Sequence, residues 1–303
     1  MDLSEDAGEM GAEGEQRRGK CDMTTTLLQP RSRAYWAWRK WQALLKIAIQ
    51  DGLAYKANLV IWIMTDVTTA VVMPLIWLAS YNGRAQIHGY TPSQMVLYYL
   101  VMLSLTGFIE SHVMWDMASD VKQGKFNVYL IRPVSYLVYM LAGNLGWRVM
   151  RTFLAVPIFA LVAFAFRRYL PDLGAGHYHW GPVFWLSVIL GHLVSFSITY
   201  AFGLLALWLY ETRSLFNFYY LPLIIFSGQL APIALLPAAW RAGIYWLPFP
   251  YTLAFPTDVF LGKLDSGQIE GRLLMQVVWI VLGLLASLAL WRGGVRRFVA
   301  FGI

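Results

Sequence analysis

Long apolar blocks, each close to the length needed to cross a bilayer, constrain this chain more than any other feature. The hydrocarbon core of a membrane is about 30 Å thick, and a helix needs about 20 mainly apolar residues to cross it. Charged and turn-forming residues delimit six such blocks. They cover residues 57–81, 94–116, 147–166, 182–210, 214–236 and 273–291. The sequence therefore predicts an all-α integral membrane protein with six transmembrane helices.

The composition argues against a soluble fold of this length. Hydrophobic residues make up 58% of the chain and charged residues only 14%, whereas soluble domains carry about 25% charged residues. Most of the bases behind the net charge of +7 flank the apolar blocks, so we attribute that charge to membrane orientation and expect no nucleic-acid partner. The single cysteine, Cys21, rules out an intrachain disulfide and a cysteine cluster, and we expect no metal site.

The region before the first block has two parts. Residues 1–32 are rich in Gly and Glu and lack an apolar face, which is typical of a disordered tail. From Arg33 onward, Trp38, Trp41 and Leu45 recur on one helical face, and bases such as Arg39 lie on the other. This pattern predicts an amphipathic helix at the membrane interface, with a soluble helix packed on a partner as the alternative. We interpret residues 33–303 as one transmembrane domain.

A proline-rich stretch separates the fifth block from the sixth. Six of the 13 prolines lie between Pro222 and Pro256, and proline interrupts helix interiors. Non-helical backbone at membrane depth survives only where protein or water satisfies it. The sequence thus predicts short re-entrant or interfacial helices that form an outer gate. Its residues would be Gly228, Pro232, Pro237, Pro248 and Pro250.

The distribution of Lys and Arg predicts the orientation. With six crossings, 13 bases lie on the side of both termini and six on the other. Because basic residues near span ends favour the cytoplasm, both termini and the charged insert at residues 119–141 are predicted to be cytoplasmic. This insert is long for a simple turn, and its apolar side chains are costly to leave in water. A short amphipathic helix that docks on a soluble partner would use both kinds of residue.

The segment "GKFNVYLIRPVSYLVYMLAGNLG" in this insert resembles the segment after the second span in permease subunits of ABC-2-type exporters. The stretch "FSGQLAPIALLPAAWRAGIYWLPFPYTLAFPTDVFLG" and the ending "LWRGGVRRFVAFG" resemble later parts of the same family. The order of these features covers most of the chain from Arg33 onward. The acidic leader at residues 1–20 departs from the family pattern.

The resemblance implies a bacterial inner-membrane exporter subunit. A coupling helix at residues 118–134 would seat in a groove of an ATPase subunit, and two such ATPases would join this permease and a second permease, identical or related. ATP and Mg²⁺ would bind the ATPase chains, since this sequence contains no phosphate-binding G-x-x-x-x-G-K-[ST] loop and is not itself expected to be an enzyme. The coupling residues would be Asp120, Lys122, Gln123, Gly124, Lys125, Phe126, Tyr129 and Arg132, with Phe126 and Tyr129 as the anchors.

Ionisable residues within the blocks are candidates for function, because charge at membrane depth is costly. Asp66, Thr69 and His192 are candidates for a polar lining of the substrate path; Asp66 could equally be a carboxyl that locks two helices together. A second group is expected to form a structural ion cluster that braces the coupling loop, with a proton relay as the alternative. It comprises Glu110, Asp116, Arg148 and Arg151.

Two other classes of protein stay open at this point. An ion-coupled secondary transporter would have broken helices in both halves, whereas the breaks here fall in one half. A membrane enzyme that modifies lipids would need an acid–base pair near the headgroups, and the carboxylates in this sequence are scattered. The transported substrate does not follow from the residues.

Overall fold

The computed structural model describes residues 33–54, 56–170, 178–209 and 211–298. The predicted disordered tail lies outside the described residues. By its internal contacts the chain divides into two units, Met1–Leu44 and Leu45–Ile303. In the described part of the first unit, which is the beginning of a helix, Trp36 and Trp38 are 55% and 59% exposed. All contacts discussed below lie within the second unit.

The described residues form eleven α-helices and four short 3₁₀ helices. The α-helices are α1 (Arg33–Ala54), α2 (Lys56–Tyr81), α3 (Pro92–Ile109), α4 (Val113–Lys122), α5 (Phe126–Ile131), α6 (Tyr136–Ala165), α7 (Pro182–Leu204), α8 (Arg213–Phe226), α9 (Ala238–Ile244), α10 (Ala254–Phe260) and α11 (Ser266–Arg297). The 3₁₀ helices are Arg167–Tyr169, Leu205–Leu207, Ile233–Leu235 and Phe249–Tyr251. Within the described ranges the only β-type pairing is the isolated bridge between Ile87 and Tyr90.

Five helical segments are long and apolar enough to cross a membrane, whereas six were predicted. They are Met64–Tyr81, Pro92–Lys122, Tyr136–Ala165, Pro182–Leu207 and Ser266–Arg297. The predicted fifth span, residues 214–236, contains only the 14-residue helix α8, which ends at Phe226. At about 1.5 Å per residue, α8 is shorter than the hydrocarbon core is thick.

Two other predicted spans have different boundaries in the structure. The second apolar block is interrupted at residues 110–112, so that α3 and α4 are separate helices. The predicted third span began at Trp147, but α6 begins at Tyr136, because the aromatic stretch after Arg132 joins the helix. The predicted coupling helix at residues 120–131 is in fact the end of α4, a turn at residues 123–125, and α5.

Local capping chemistry explains where two of the long helices begin. The hydroxyl of Thr91 accepts from the backbone N–H of Gln94 at 3.2 Å, and the side-chain oxygen of Gln94 accepts from the backbone N–H of Thr91 at 3.3 Å. Pro92 occupies the first turn of α3. Asp265 and Gln268 form the same reciprocal box at the start of α11, with 2.9 Å between the Gln268 nitrogen and the Asp265 carboxylate. Both boxes satisfy backbone donors that a helix start leaves free.

The two largest of four apolar cores among the described residues follow one another along the long helices. The first, which we call the cap core, contains side chains of α3, the start of α7, and α10. The second, the loop core, contains side chains of α4, α5, the end of α7, and α8. Members of the cap core include Met95, Tyr98, Ile109, Val188 and Phe260; members of the loop core include Met114, Met117, Phe126, Leu204 and Phe216.

The chain between α7 and α11 runs from one core to the other. At its beginning, Glu211 pairs with Lys122 of α4, next to the loop core. At its end, Asp258 pairs with Arg272 of α11, next to the cap core. In between, the carbonyl oxygens of Gly228 and Leu230 accept hydrogen bonds of 2.9 Å from Tyr98 and Tyr99 of α3. The segment therefore traverses the unit although α8 is short.

Candidate functional site

The predicted coupling segment is a short, braced projection between α4 and α6. The turn at residues 123–125 contains Gly124, whose φ of +70° is the left-handed conformation that glycine adopts readily. Phe126 follows and is 1% exposed, with its ring in edge contact with Tyr136 at 5.1 Å and Phe298 at 5.0 Å. This corrects the prediction that Phe126 anchors a partner: its side chain is packed in the loop core.

Polar bonds hold the same segment on its inner side. The hydroxyl of Tyr129 donates to Tyr139 at 3.0 Å, and the hydroxyl of Tyr136 donates to the carboxylate of Asp120 at 3.1 Å. The guanidinium of Arg132 lies 5.2 Å from the centre of the Tyr129 ring, within cation–π range. Tyr129 is therefore engaged within the chain rather than presented outward, and these bonds join α5 to α6 and α6 to α4.

A different set of side chains points away from the chain on this segment. Ile131 is 83% exposed and Val128 is 45% exposed. The bases Lys125 and Arg132 lie on either side of them in sequence and are also exposed. We call Lys125, Val128, Ile131 and Arg132 the outward face. Of the other predicted coupling residues, Gln123 is exposed at the turn, and Lys122 pairs with Glu211 at 3.0 Å.

The predicted ion cluster is arranged differently from the prediction. Arg151 forms an ion pair with Asp66 of α2, and the carboxylate of Glu110 accepts from the side-chain amide of Gln229. In the part of the chain that the structure describes, the ion pairs join Lys122 to Glu211, Arg151 to Asp66 and Arg272 to Asp258. Asp116 takes no part in them and lies on the exposed side of α4. Periodicity could not have found the contact with Asp66, because it depends on how α2 and α6 cross.

Arg148 is buried, at 3% exposure, and binds backbone rather than carboxylates. Its guanidinium donates to the carbonyl oxygens of Phe108 at 2.7 Å and Glu110 at 2.6 Å. Its Nε donates to the side-chain oxygen of Asn144 at 3.1 Å. The carbonyls at the end of a helix have no partner within the helix and carry partial negative charge. Arg148 therefore caps the end of α3 at membrane depth.

Side chains of α6 and α7 satisfy the rest of the break between α3 and α4. His192 Nδ1 lies 3.2 Å from the carbonyl oxygen of Ile109. The backbone N–H of Ser111 donates to Ser195 Oγ at 2.9 Å, and the side-chain amide of Asn144 donates to Ser111 Oγ at 3.1 Å. We call this set the polar layer: Glu110, Ser111, Asn144, Arg148, His192 and Ser195. Asn144, Ser111 and Ser195 were missed in the sequence because uncharged polar residues are common in spans.

Asp66 and Thr69 line a small cleft beside α3, and their role in a substrate path stays a prediction, whereas His192 lies in the polar layer. The cleft has a volume of about 30 Å³, enough for a water molecule. Its remaining walls combine apolar and hydrogen-bonding groups. They are Ala70, Tyr99, Met102, Leu103, Thr106 and Gln229.

The predicted gate prolines stand at the starts of short helical turns. Pro232 precedes Ile233–Leu235, Pro237 precedes α9, and Pro248 precedes the 3₁₀ turn that contains Pro250. Proline suits these positions because a helix start needs no N–H donor there. Gly228 has φ +90°, and its carbonyl accepts from Tyr98. The gate prediction thus corresponds to a tightly folded segment against the cap core.

A charged cluster fastens this segment to its neighbours. Arg272 Nη1 donates to Asp258 at 3.2 Å, and Lys263 Nζ donates to the carbonyl of Gly89 at 2.8 Å. The hydroxyl of Tyr90 donates to the carboxylate of Asp258 at 3.4 Å, and Lys263 Nζ lies 4.7 Å from the centre of the Tyr90 ring. Burial raises the pKa of the Asp258 carboxyl to about 6, against the lowering effect of Arg272, and burial lowers the pKa of Lys263.

Together, the long apolar helices, the buried ionic groups between them and the capped break at membrane depth define a multi-pass helical membrane protein. The profile of the family described as ABC-2 family transporter protein matches residues 67–302, more than half of the 303 residues. The chain therefore belongs to the ABC-2 transporter family, whose members are membrane components of ABC transporters. Nothing among the curated proteins matches the chain.

Proposed function

We propose that this chain is the permease subunit of an ATP-driven exporter in the bacterial inner membrane. It forms half of the translocation path and receives mechanical work from a separate ATPase chain, in which ATP and Mg²⁺ bind. Two ATPases and a second permease, identical or related, complete the assembly. Family membership supports the role of a permease in an ABC transporter. The outward face of the coupling segment is the observation that supports a contact with the ATPase at this place.

That face has the properties of a small docking site. It presents the apolar side chains of Val128 and Ile131 between two bases, on a helix whose inner side is fixed by Phe126 and Tyr129. Apolar residues in the centre of a contact carry most of its free energy, and the charges at its rim influence the association rate. The partner surface would be an apolar groove with acidic residues at its edge.

A pull-down of the ATPase tests this assignment. Replacing Val128 and Ile131 with Ser should weaken ATPase binding by about tenfold or more, because the apolar centre of the contact is lost. A tenfold loss of affinity corresponds to about 1.4 kcal/mol of binding free energy. Trp246→Ser is the control, because Trp246 is 74% exposed but belongs to the proline-containing segment before α11 rather than to the coupling segment. ATPase binding that persists undiminished in the double variant would contradict a contact at this face.

The proposal also includes the topology: the chain crosses the membrane six times, and both termini are cytoplasmic. The course of residues 211–265 from the loop core to the cap core supports a sixth traversal made by α8 and the chain after it. Cysteines placed at Asn82 and Trp246 should then react with an impermeant reagent outside intact cells, and a cysteine at Gln123 or Arg213 should not. All four residues are exposed in the structure, and Cys21 is first replaced by Ser. Labelling of Gln123 from outside would overturn this orientation.

The proline-containing segment before α11 serves as the outer gate in this proposal. Its position against the cap core and the cluster around Asp258 support a closed outer end. Replacing Pro248 and Pro250 with Ala should lower export while ATPase binding persists, because the starts of these turns lose their fixed φ. Export at the wild-type rate, at equal expression, would count against the gate.

The ion-coupled alternative also involves broken helices, whose free carbonyls coordinate the coupling ion. In this chain, the carbonyls of Phe108 and Glu110 at the break are bonded to the guanidinium of Arg148. A fixed side-chain cation thus occupies the position that a coupling ion would take. This occupancy favours ATP-driven transport, and transport that collapses with the ion gradient at constant ATP would favour the alternative.

A further inference from the structure

The interruption between α3 and α4 is held by tertiary contacts rather than by its own sequence. Residues 110–112 are Glu, Ser and His, and they lie within a 31-residue apolar segment, Pro92–Lys122. Proline and glycine, the usual causes of a sharp break, are absent from these three positions. Glu110 has extended backbone angles, φ −67° and ψ 127°. Its neighbours in the polar layer bond to several of the backbone groups that a continuous helix would have paired, among them the carbonyls of Phe108 and Ile109 and the N–H of Ser111.

The position of the break coincides with the division between the two cores. Most buried side chains of α3, up to Ile109, belong to the cap core, while Val96 and Leu100 pack against α6, and buried side chains of α4 from Val113 belong to the loop core. The same division occurs on α7, where Val188 is in the cap core, Phe196 is in the loop core, and His192 lies between them. The polar layer therefore separates two apolar bodies along the same helices.

These two kinds of contact respond differently to a force. Well-packed apolar cores deform little and transmit displacement as rigid bodies. Hydrogen bonds between side chains and carbonyls can be exchanged for bonds to neighbouring carbonyls or to water. The planar fork of the Arg148 guanidinium reaches several carbonyls, Gly107 at 3.4 Å as well as Phe108 and Glu110. A displacement of α4 is thus concentrated at residues 110–112.

We propose that residues 110–112 form a hinge at which α4, together with the coupling segment, moves against α3, and that Arg148 is the positioning residue that holds its resting geometry. The loop core connects Phe126 of α5 to Met117 of α4, so a push on the outward face moves both. The origin of that push rests on the proposed function. The hinge itself is a property of this chain and is tested without any ATPase.

Distance measurements between spin labels test the hinge in the full chain, reconstituted in lipid nanodiscs. Ser104 in α3 and Ser119 in α4 are exposed and carry the labels, on a background in which Cys21 is Ser. We expect one narrow distance distribution in the parent protein and a broad or shifted one in Arg148→Gln. A second pair, both in α11 at Gly271 and Ala286, should stay narrow in both proteins. An unchanged distribution for Ser104 and Ser119 in folded Arg148→Gln would overturn the hinge.

Rescue separates a positioning role from a general loss of stability. Arg148→Lys keeps the charge but lacks the fork, so its distance distribution should lie between those of the parent and Arg148→Gln. In Arg148→Ala, free guanidinium ion at millimolar concentration should narrow the distribution again, whereas sodium chloride at equal concentration should not. Failure of guanidinium to narrow it in a folded Arg148→Ala protein would contradict the assignment to Arg148.

Hydrogen exchange on the unmodified protein keeps the proposal testable if the Arg148 variants do not fold. The amides of Glu110 and Ser111, which donate to Thr106 and Ser195 in the resting geometry, should exchange about tenfold faster than amides 98–102 of α3, because the hinge opens locally while the cap core stays closed. Equal protection of the two segments would show a static kink and overturn the proposal. Each of these measurements uses the permease alone, so failure to find an ATPase partner leaves their outcome unaffected.

Discussion

Arg272 and Asp258 form a partly buried ion pair that fastens α11 to α10, with 3.2 Å between the guanidinium nitrogen and the carboxylate oxygen. The carboxyl also accepts from Tyr90 in the connection between α2 and α3. Three separate parts of the chain thus meet at one carboxyl group next to the cap core. Its protonation state consequently affects how firmly the gate segment is held.

Acid should stabilise the folded chain through Asp258. The pKa of this carboxyl is raised to about 6 by burial, against about 3.9 in an unfolded chain. The folded state therefore binds the proton more tightly, and this contribution to the free energy of unfolding grows as the pH falls from about 7 to about 4. Its full size is about 3 kcal/mol, and it is absent well above pH 6.

Thermal unfolding in detergent between pH 4.5 and 8, with about 0.5 pH steps, measures the effect. The difference in apparent Tm between the parent and Asp258→Asn should shift in favour of the parent as the pH falls through about 6. Asp265→Asn is the control, since Asp265 is exposed and asparagine caps helices equally well. Parallel profiles for the parent and Asp258→Asn would contradict this prediction.

Phe126→Ala should destabilise the permease rather than only detach a partner. Its ring is 1% exposed and contacts Tyr136 and Phe298 in the loop core. Removing a buried phenylalanine ring costs about 3–5 kcal/mol of unfolding free energy. Val128→Ala, two residues away and 45% exposed, should change stability by less than about 0.5 kcal/mol. Equal apparent Tm values for the two variants would mean that Phe126 is not in the core.

The ion pair between Asp66 and Arg151 allows the two interpretations of Asp66 to be separated. Asp66→Asn alone should lower the free energy of unfolding by about 3–5 kcal/mol, because the guanidinium of Arg151 stays buried without its counter-ion. The double variant Asp66→Leu/Arg151→Met should recover most of that loss, since it removes both charges.

Export by the stable double variant then decides the role of Asp66. A normal export rate means that the pair serves only to join α2 and α6. A lost export rate, with the fold intact, means that the polar wall of the cleft next to Thr69 and Gln229 contacts the substrate. A double variant no more stable than Asp66→Asn would show that the pair contributes more than charge neutralisation.

Gly228→Ala should disturb the outer gate. Gly228 has φ +90°, where residues with a Cβ are strained, and an added Cβ would collide with the hydroxyl of Tyr98 and lie 3.1 Å from Ala254. The strain alone costs about 1–3 kcal/mol. Gly243→Ala is the matched control, because space is open around Gly243 and alanine favours helix α9. A Gly228→Ala protein as stable and active as Gly243→Ala would argue against a rigid gate.

The sequence was most informative where a single physical preference dominates. The spans around Val72, Leu186 and Leu285 follow from apolar length alone, because only a bilayer accommodates so many apolar side chains. The short helical turns that follow the prolines were predicted for the same reason, since proline removes a backbone donor wherever it occurs. The resemblance to ABC-2 permeases was confirmed by the family match over residues 67–302.

Only the tertiary structure decided how the polar groups are paired. The sequence placed Arg148 and Arg151 one turn apart on α6, but the first binds carbonyls of α3 and the second binds Asp66 of α2. The direction of a side chain on a short helix was equally undetermined, so that Phe126 turned inward and Ile131 outward. Periodicity specifies which residues share a face of one helix. Which helix lies against that face depends on the packing of the whole chain, because it is set by the summed free energy of many contacts between residues that are distant in sequence.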